Sequence, residues 1–140
     1  MTRSVVQEVG AKGVPGWTAF RLQVLLVDDE IEKLLPLCDA LRRAGLAPTI
    51  ATSIDELLFK IQMCPPDVVV LDAEMANRAL FAQLHATALP VVLVNSAKRH
   101  DMMWRAMLAT IGVTCIDKPI DAGMLVELLS DSSRFPMRSV

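Results

Sequence analysis

Short apolar runs alternate with segments of helical periodicity from Leu22 to about residue 130. The runs have the length of strands, and the segments between them repeat their apolar positions every three or four residues, as helices with one buried face do. Strict alternation of five strands with five helices favours a parallel sheet with helices on both faces. The predicted strands are Leu22–Val27, Thr49–Ala51, Val68–Leu71, Val91–Val94 and Val113–Ile116.

Capping residues mark where the predicted helices begin and end. Ser53 and Glu56 form a capping box that opens the second helix, with the serine bonding the Glu56 amide and the glutamate reaching back. Asp121 is predicted to cap the last helix. Gly45 and Gly112 follow the first and fourth helices, where glycine commonly ends a helix.

Two helices have boundaries that rest on pattern alone. The third is predicted from about Asn77 to His85 and the fourth from about Asp101 to Thr110. Pro36 constrains the first helix, because proline has no N–H to donate and clashes with the preceding turn. We therefore expect that helix to begin near Lys33 or to kink in its first turn.

The chain divides into one domain and two short flanking segments. Residues 1–20 are punctuated by glycine and proline without helical or strand period, so they are predicted to be an extension, with Trp17 and Phe20 held against the domain. The domain is predicted over residues 21–130 and a tail over 131–140. A chain of 140 residues suits one hydrophobic core, and the tail is too short for an output domain.

Composition excludes several classes of function. Hydrophobic residues make up 53% and the net charge is −2, with no stripe of Lys and Arg, so direct nucleic-acid binding is not expected. No apolar stretch is long enough for a membrane helix. Cys38, Cys64 and Cys115 lack the spacing of a disulfide framework or a zinc site and are predicted to be the reduced thiols of a cytoplasmic protein.

Polar side chains collect at the carboxyl ends of the predicted strands. Ligands of open parallel sheets bind outside these ends. In strand order the side chains are Asp28, Asp29 and Glu30, then Asp72, then Asn95 and Ser96, and finally Lys118.

This set of side chains fits phosphoryl transfer onto a carboxylate. Three aspartates on two neighbouring strands repel one another unless a cation or a proton neutralises them. Hard carboxylate oxygens suit Mg²⁺. A lysine ammonium and a hydroxyl would bind phosphoryl oxygens while one aspartate attacks.

At these residues the chain resembles the CheY-like receiver domain of two-component response regulators. The resemblance rests on Val-Asp-Asp-Glu at residues 27–30, Leu-Asp-Ala-Glu-Met at 71–75 and Lys-Pro at 118–119, and it covers about residues 22–130. The separation of 44 residues between Asp28 and Asp72 fits the family. The resemblance implies a doubly wound, flavodoxin-like α/β fold with a five-stranded parallel sheet.

The resemblance also implies a role for each matching residue. Asp72 would be the phosphoacceptor and a metal ligand, with Asp29 as a direct Mg²⁺ ligand and Asp28 as a water-mediated one. Glu74 would offer its backbone carbonyl to the metal. Lys118 would bind phosphate and precede a cis Pro119, and Ser96 would be the switch hydroxyl.

Three departures from the family accompany these matches, and the first concerns the segment after Asp72. Met75 is followed by Ala76-Asn77-Arg78 without the usual proline and glycine, and only 18 residues separate Asp72 from Pro90, so the third-helix region is predicted to be shortened. The switch position is also open between two residues. Counting back from Lys118 favours Ser96, whereas counting forward from Pro90 gives Asn95.

The third departure is Cys115, three positions before Lys118, where the family usually has Tyr or Phe. We expect Cys115 to be a small buried core residue and coupling through the last strand to be weak. The fourth helix carries Met102, Met103, Trp104 and Met107, more large apolar side chains than one buried face uses, which favours an adaptable partner surface there.

The predicted function is a single-domain receiver rather than an enzyme acting on other molecules. A sensor histidine kinase or a histidine phosphotransfer protein would phosphorylate Asp72 in the presence of Mg²⁺, and the chain would act as a monomeric or weakly dimeric protein–protein switch. One alternative is a pseudo-receiver that binds partners independently of phosphate. A Mg²⁺-dependent phosphohydrolase is a third, which Asp28-Asp29-Glu30 fits less well than Asp-x-Asp would.

Overall fold

The computed structural model describes residues 21–98, 102–131 and 133–136, and within them the five predicted strands form one parallel sheet. Its strand order, β2-β1-β3-β4-β5, is the doubly wound arrangement predicted from the alternation of elements. The predicted fold class is therefore confirmed. The strands are β1 (Gln23–Val27), β2 (Ala47–Ala51), β3 (Val68–Asp72), β4 (Val91–Val94) and β5 (Thr114–Ile116).

A helix follows each strand. The third and fourth helices differ by one or two residues from the predicted bounds, which is the usual uncertainty of helix ends. Short 3₁₀ turns occupy Ala73–Met75 and Ser96–Lys98. The helices are α1 (Ile31–Arg43), α2 (Ile54–Met63), α3 (Arg78–Thr87), α4 (Met102–Ile111) and α5 (Ala122–Leu129).

The sheet separates two hydrophobic layers. Alternate residues of each strand point to opposite faces, so Leu25 and Val69 pack with α2, α3 and α4, whereas Val24 and Val70 pack with α1 and α5. All five residues of β3 are buried, as expected for a central parallel strand. Phe135 is buried in the second layer, so the core extends five residues past the predicted domain boundary.

The predicted caps are present. The Glu56 amide donates to the Ser53 hydroxyl at 3.1 Å, and the Glu56 carboxylate accepts the N–H of Thr52 at 2.8 Å. Asp121 accepts the Met124 amide at 2.8 Å. Gly45 and Gly112 have φ of +88° and +75°, left-handed conformations that glycine adopts without strain.

The first helix begins earlier than predicted. It starts at Ile31 rather than near Lys33, which leaves Pro36 inside the helix. The missing N–H deprives the Glu32 carbonyl of its intrahelical donor. Glu32 and Pro36 are both exposed, so solvent can satisfy that carbonyl, and the helix tolerates the proline.

Two further expectations are wrong. No peptide bond is cis among the described residues, so Lys118–Pro119 is trans, the form that X–Pro bonds keep unless tertiary contacts select the other. Cys115 is exposed rather than buried, because β5 is a three-residue strand at the sheet edge. The predictions for residues 1–20 lie outside the described residues.

Both edges of the sheet are unfavourable for further strand pairing. On β2 the Ala47 amide donates to Leu22 of the preceding segment, so alternation turns the backbone groups of Pro48 outward. Proline has no N–H at that outer edge. β5 forms the other edge and has only three residues.

Within the described part of the chain, no helix has the length and apolar character of a membrane span. All three cysteines are free thiols, and Cys38 is the buried one. Burial raises the pKa of the Cys38 thiol, which keeps it protonated near neutral pH.

Candidate functional site

Two buried carboxylates lie at the carboxyl ends of neighbouring central strands. Val27 of β1 pairs with Leu71 of β3, so Asp28 and Asp72 emerge at the same edge of the sheet. They are 8% and 7% exposed. Burial raises the pKa of Asp28, and the negative charge of Asp72 acts in the same direction. The structure thus brings together the two carboxylates on which the phosphoryl-transfer hypothesis depends.

An acidic cluster surrounds Asp28. Carboxylate oxygens of Asp28, Asp29 and Glu30 lie within 4.8 Å of one another, and the Glu30 amide donates to Asp28 Oδ1 at 3.0 Å. Asp29 and Glu30 are exposed. This set contains Glu30, which was not among the predicted metal ligands. Its hard oxygen atoms suit Mg²⁺ with water completing the coordination shell.

Both carboxylate oxygens of Asp72 accept hydrogen bonds. Oδ1 accepts the backbone N–H of Glu74 at 2.8 Å, from the 3₁₀ turn that follows β3. Oδ2 accepts the side-chain amide of Asn95 at 2.9 Å. The side chain of Glu74 is exposed, so its contribution at the cleft comes from its backbone.

Asn95, rather than Ser96, contacts Asp72. Ser96 is fully buried, and its hydroxyl donates to Asp117, just before Lys118. Arg105 of α4 donates to the same Asp117 carboxylate and to the Ser96 carbonyl, each at 3.2 Å. The hydroxyl favoured from the sequence therefore belongs to a network that joins the loops after β4 and β5 to α4.

The backbone conformation of Asn95 explains why Asn95, rather than Ser96, contacts Asp72. Its φ is 60°, in the left-handed region that Asn tolerates better than most residues and that β-branched residues avoid. The loop turns at this point, which aims the Asn95 amide at Asp72 and the Ser96 hydroxyl at Asp117. Counting residues does not reveal such a turn, so the sequence left the two positions open.

A cavity of about 410 Å³ opens beside the carboxylates. It lies between α1 and the loop that leads from β5 to α5, with Asp28, Asp72 and Asn95 at its polar end and Leu34 and Ile120 among its apolar walls. Its volume is in the range of small-ligand pockets.

Lys33 is the lysine that lines this cavity, and it was not among the residues predicted for the site. Its ammonium pairs with Glu30 at 2.5 Å. Glu30 raises the pKa of Lys33 most, and the charges of Asp28 and Asp72 raise it further. The sequence feature that could have identified Lys33 is its position in the first turn of α1, three residues after Glu30. Lys118 lies in the loop from β5 to α5, but its side chain is exposed and it is not among the residues lining the cavity.

The fourth helix presents one apolar side chain to solvent and buries another. Met102 is 84% exposed, whereas Trp104 is 2% exposed and meets Phe81 edge to face with 5.8 Å between ring centroids. The side chains of Met103 and Met107 lie outside the description. Met102 is thus exposed on α4, whereas Trp104 belongs to the core, and the partner surface on this helix stays a prediction.

Comparison with known proteins gives matches to solved structures. No protein-family model and no curated protein sequence matches the chain. CheY4 of Vibrio cholerae, a chemotaxis response regulator, is 23% identical with a TM-score of 0.63, over 78% of this chain and 96% of the other.

Two further solved structures have similar scores. A CheY-like receiver domain protein of Methanospirillum hungatei is 18% identical with a TM-score of 0.67, over 80% of this chain and 93% of the other. A two-component response regulator of Clostridium difficile is 16% identical with a TM-score of 0.68, over 83% and 99%. These likenesses show that the chain has the receiver-domain fold, as its motifs predicted.

Proposed function

We propose that this chain is a phosphorylation-controlled receiver of two-component signalling. A histidine kinase or a histidine phosphotransfer protein would phosphorylate Asp72 in the presence of Mg²⁺, and the modified chain would bind a protein target differently. The observation that carries the proposal is the pair of buried carboxylates, Asp28 and Asp72, at the carboxyl ends of adjacent central strands. A structural role alone does not account for two buried acids that repel each other.

The chemistry follows from the contacts of Asp72. A carboxylate oxygen would attack phosphorus as the bond to the donor breaks, and the Glu74 amide at Oδ1 holds the carboxylate in place. Asp28 and Asp29 would hold Mg²⁺ together with Asp72. The metal would supply positive charge opposite the phosphoryl oxygens.

A cation from the protein would complete the neutralisation of the phosphoryl group. Lys33 lines the cavity beside the carboxylates, which supports a role for its ammonium in binding phosphoryl oxygens. Lys118 keeps its proposed role as a phosphate-binding lysine from the motif that it forms with Pro119. In its exposed position, Lys118 would have to turn toward the cleft when the phosphoryl group arrives.

The first prediction tests the phosphoacceptor by intact-mass measurement. After incubation with acetyl phosphate and Mg²⁺, the wild-type chain should gain the mass of one phosphoryl group, because Asp72 combines a nucleophilic carboxylate with nearby metal ligands. Asp72→Asn should abolish the gain, and chelation of Mg²⁺ should reduce it strongly.

A matched control is Asp55→Asn, which makes the same chemical change at an exposed position of α2. This variant should be phosphorylated like the wild type. Labelling that persists in Asp72→Asn would contradict the assignment of the phosphoacceptor.

The second candidate function is the pseudo-receiver, a binding module independent of phosphate. Two observations favour it: the Ser96 hydroxyl is bonded to Asp117, and Lys118 is exposed. Under this alternative the wild-type chain gains no mass with acetyl phosphate, and Asp72→Asn leaves partner binding unchanged.

A further inference from the structure

We infer that Asn95 acts on the reaction of Asp72 by stabilising the unphosphorylated carboxylate, so that it slows phosphorylation and shortens the life of the acyl phosphate. This inference rests on the proposed function and adds a catalytic residue to it. The observation behind it is the hydrogen bond of 2.9 Å from the Asn95 side-chain amide to Asp72 Oδ2.

The charge on Asp72 changes during the reaction. An oxygen of Asp72 attacks the phosphorus of acetyl phosphate, and acetate leaves with the electron pair of the broken P–O bond. The carboxylate, which carried a full negative charge, becomes part of a mixed anhydride. Hydrolysis reverses this change: a water oxygen attacks phosphorus, the Asp72 carboxylate leaves, and the water proton passes to the released phosphate.

A hydrogen bond responds to this change in charge. A hydrogen bond from an N–H group to an ionised acceptor is roughly twice as strong as one to a neutral acceptor. The Asn95 bond is therefore strongest to the free carboxylate, weaker in the transition state and weakest to the acyl phosphate. It raises the barrier to phosphorylation and lowers the barrier to hydrolysis, because only differential stabilisation changes a rate.

The backbone conformation at position 95 favours asparagine, which places its side-chain amide at Asp72. Asn95 has a φ of 60°, which Asn accepts and which a β-branched threonine would strain. The neighbouring hydroxyl of Ser96 donates to Asp117 and is thereby held in the network with Arg105. In this structure the donor at Asp72 Oδ2 is an amide.

The experiment compares wild type with Asn95→Gly and Asn95→Ala. Glycine suits the left-handed backbone and alanine keeps the chain stiffer, so an effect of losing the amide should appear in both variants. Intact-mass time courses with acetyl phosphate and Mg²⁺ give the rate of phosphorylation. The decay of the label after removal of acetyl phosphate gives the rate of hydrolysis.

Both variants should be phosphorylated faster and lose the label more slowly than wild type. The ratio of the two rate constants should rise roughly three- to tenfold, because it reflects the difference between a hydrogen bond to a charged acceptor and one to a neutral acceptor. The matched control is Asn77→Gly, which removes an exposed cap of α3 that bonds the Leu80 amide. It should leave both rates unchanged.

Four outcomes would overturn the inference. Slower phosphorylation and faster decay in both variants would mean that Asn95 serves the phosphoryl group instead, and unchanged rates would mean that the amide has no effect. An effect in Asn95→Gly alone would point to backbone flexibility. If wild type and all variants gain no mass, the proposed function itself fails and this inference fails with it.

Discussion

At the scale of single residues, Lys33 determines how the acidic cleft is neutralised before any metal binds. Its ammonium pairs with Glu30 and faces the charges of Asp28 and Asp72. A divalent cation that enters the cluster must compete with this ammonium for Glu30. It must also approach a resident positive charge. Under the proposed function, Lys33 would therefore favour the binding of a phosphoryl group and oppose the binding of a metal ion.

Replacing Lys33 by methionine should tighten Mg²⁺ binding. We expect the dissociation constant to fall roughly two- to fivefold, the size of effect expected from a solvent-exposed ion pair, because the change frees Glu30 and removes a positive charge that opposes the entry of a second cation. Calorimetric or NMR titration of the variant and the wild type with MgCl₂ measures this change.

The control is Lys60→Met, a lysine of α2 that pairs with Glu56 away from the cleft. Its Mg²⁺ affinity should equal that of wild type. Weaker Mg²⁺ binding in Lys33→Met would show that the ammonium organises the cluster rather than competing with the metal.

The residues of the site differ in how far the sequence could predict them. Asp28 and Asp72 could be placed because both follow strands, and neighbouring parallel strands end at one edge. The count forward from Pro90 pointed to Asn95 and the count back from Lys118 to Ser96, and the sequence could not decide between them because the left-handed φ that turns the Asn95 side chain toward Asp72 is not visible in it. Lys33 was not predicted because it lies within α1 rather than at the carboxyl end of a strand, where the site residues were sought.

At the scale of secondary-structure elements, the end of α3 carries local strain. Ala88 ends the helix with a φ of 60°, and its amide donates to the His85 carbonyl at 3.1 Å. Alanine in the left-handed conformation costs about 1 kcal/mol, whereas glycine accepts it without penalty. The compact connection to β4 imposes this conformation on a residue that does not favour it.

Ala88→Gly should therefore raise the free energy of unfolding by about 0.5–1 kcal/mol. Ala82→Gly makes the same change inside α3 at an exposed position and should lower it by about 1 kcal/mol. Urea denaturation of both variants checks the opposite signs. A loss of stability in both would show that the backbone at residue 88 relaxes in solution.

Helices were better predicted than strand ends, for reasons visible in the chain. Ser53 and Asp121 are capping residues, which mark helix starts in the sequence, and both accept the predicted capping hydrogen bonds in the structure. β2 is two residues longer than predicted, since Pro48 lies within it. Proline argues against a strand from sequence alone, and only the pairing of β2 with β1 shows that the missing N–H faces outward.

At the scale of the whole molecule, the buried charge of the cleft costs stability. Asp28 is buried near another carboxylate, an arrangement that folding must hold against repulsion and lost hydration. The two hydrophobic layers on either side of the sheet supply the stabilisation that offsets it. A chain relieved of this charge should be more stable and inactive.

Asp28→Asn should raise the free energy of unfolding by roughly 1 kcal/mol at neutral pH without Mg²⁺, because it removes a like charge and keeps the acceptor for the Glu30 amide. Thermal or urea unfolding in a chelating buffer measures the difference. Asp39→Asn, at an exposed surface ion pair of α1, should change stability by less than about 0.5 kcal/mol. A lower free energy of unfolding in Asp28→Asn than in the wild type would contradict the conclusion that the buried charge of Asp28 costs stability.

Pro48 has a consequence for how this protein behaves at high concentration. The open side of β2 would otherwise present a regular row of amides to another chain, the template on which aggregation by edge pairing begins. Pro48, the second residue of β2, interrupts that row near the start of the strand. Recruitment of a foreign strand there would leave one carbonyl of the newcomer without a donor. Partners of this protein are therefore expected to approach through side chains of its helices and loops rather than by extending its sheet.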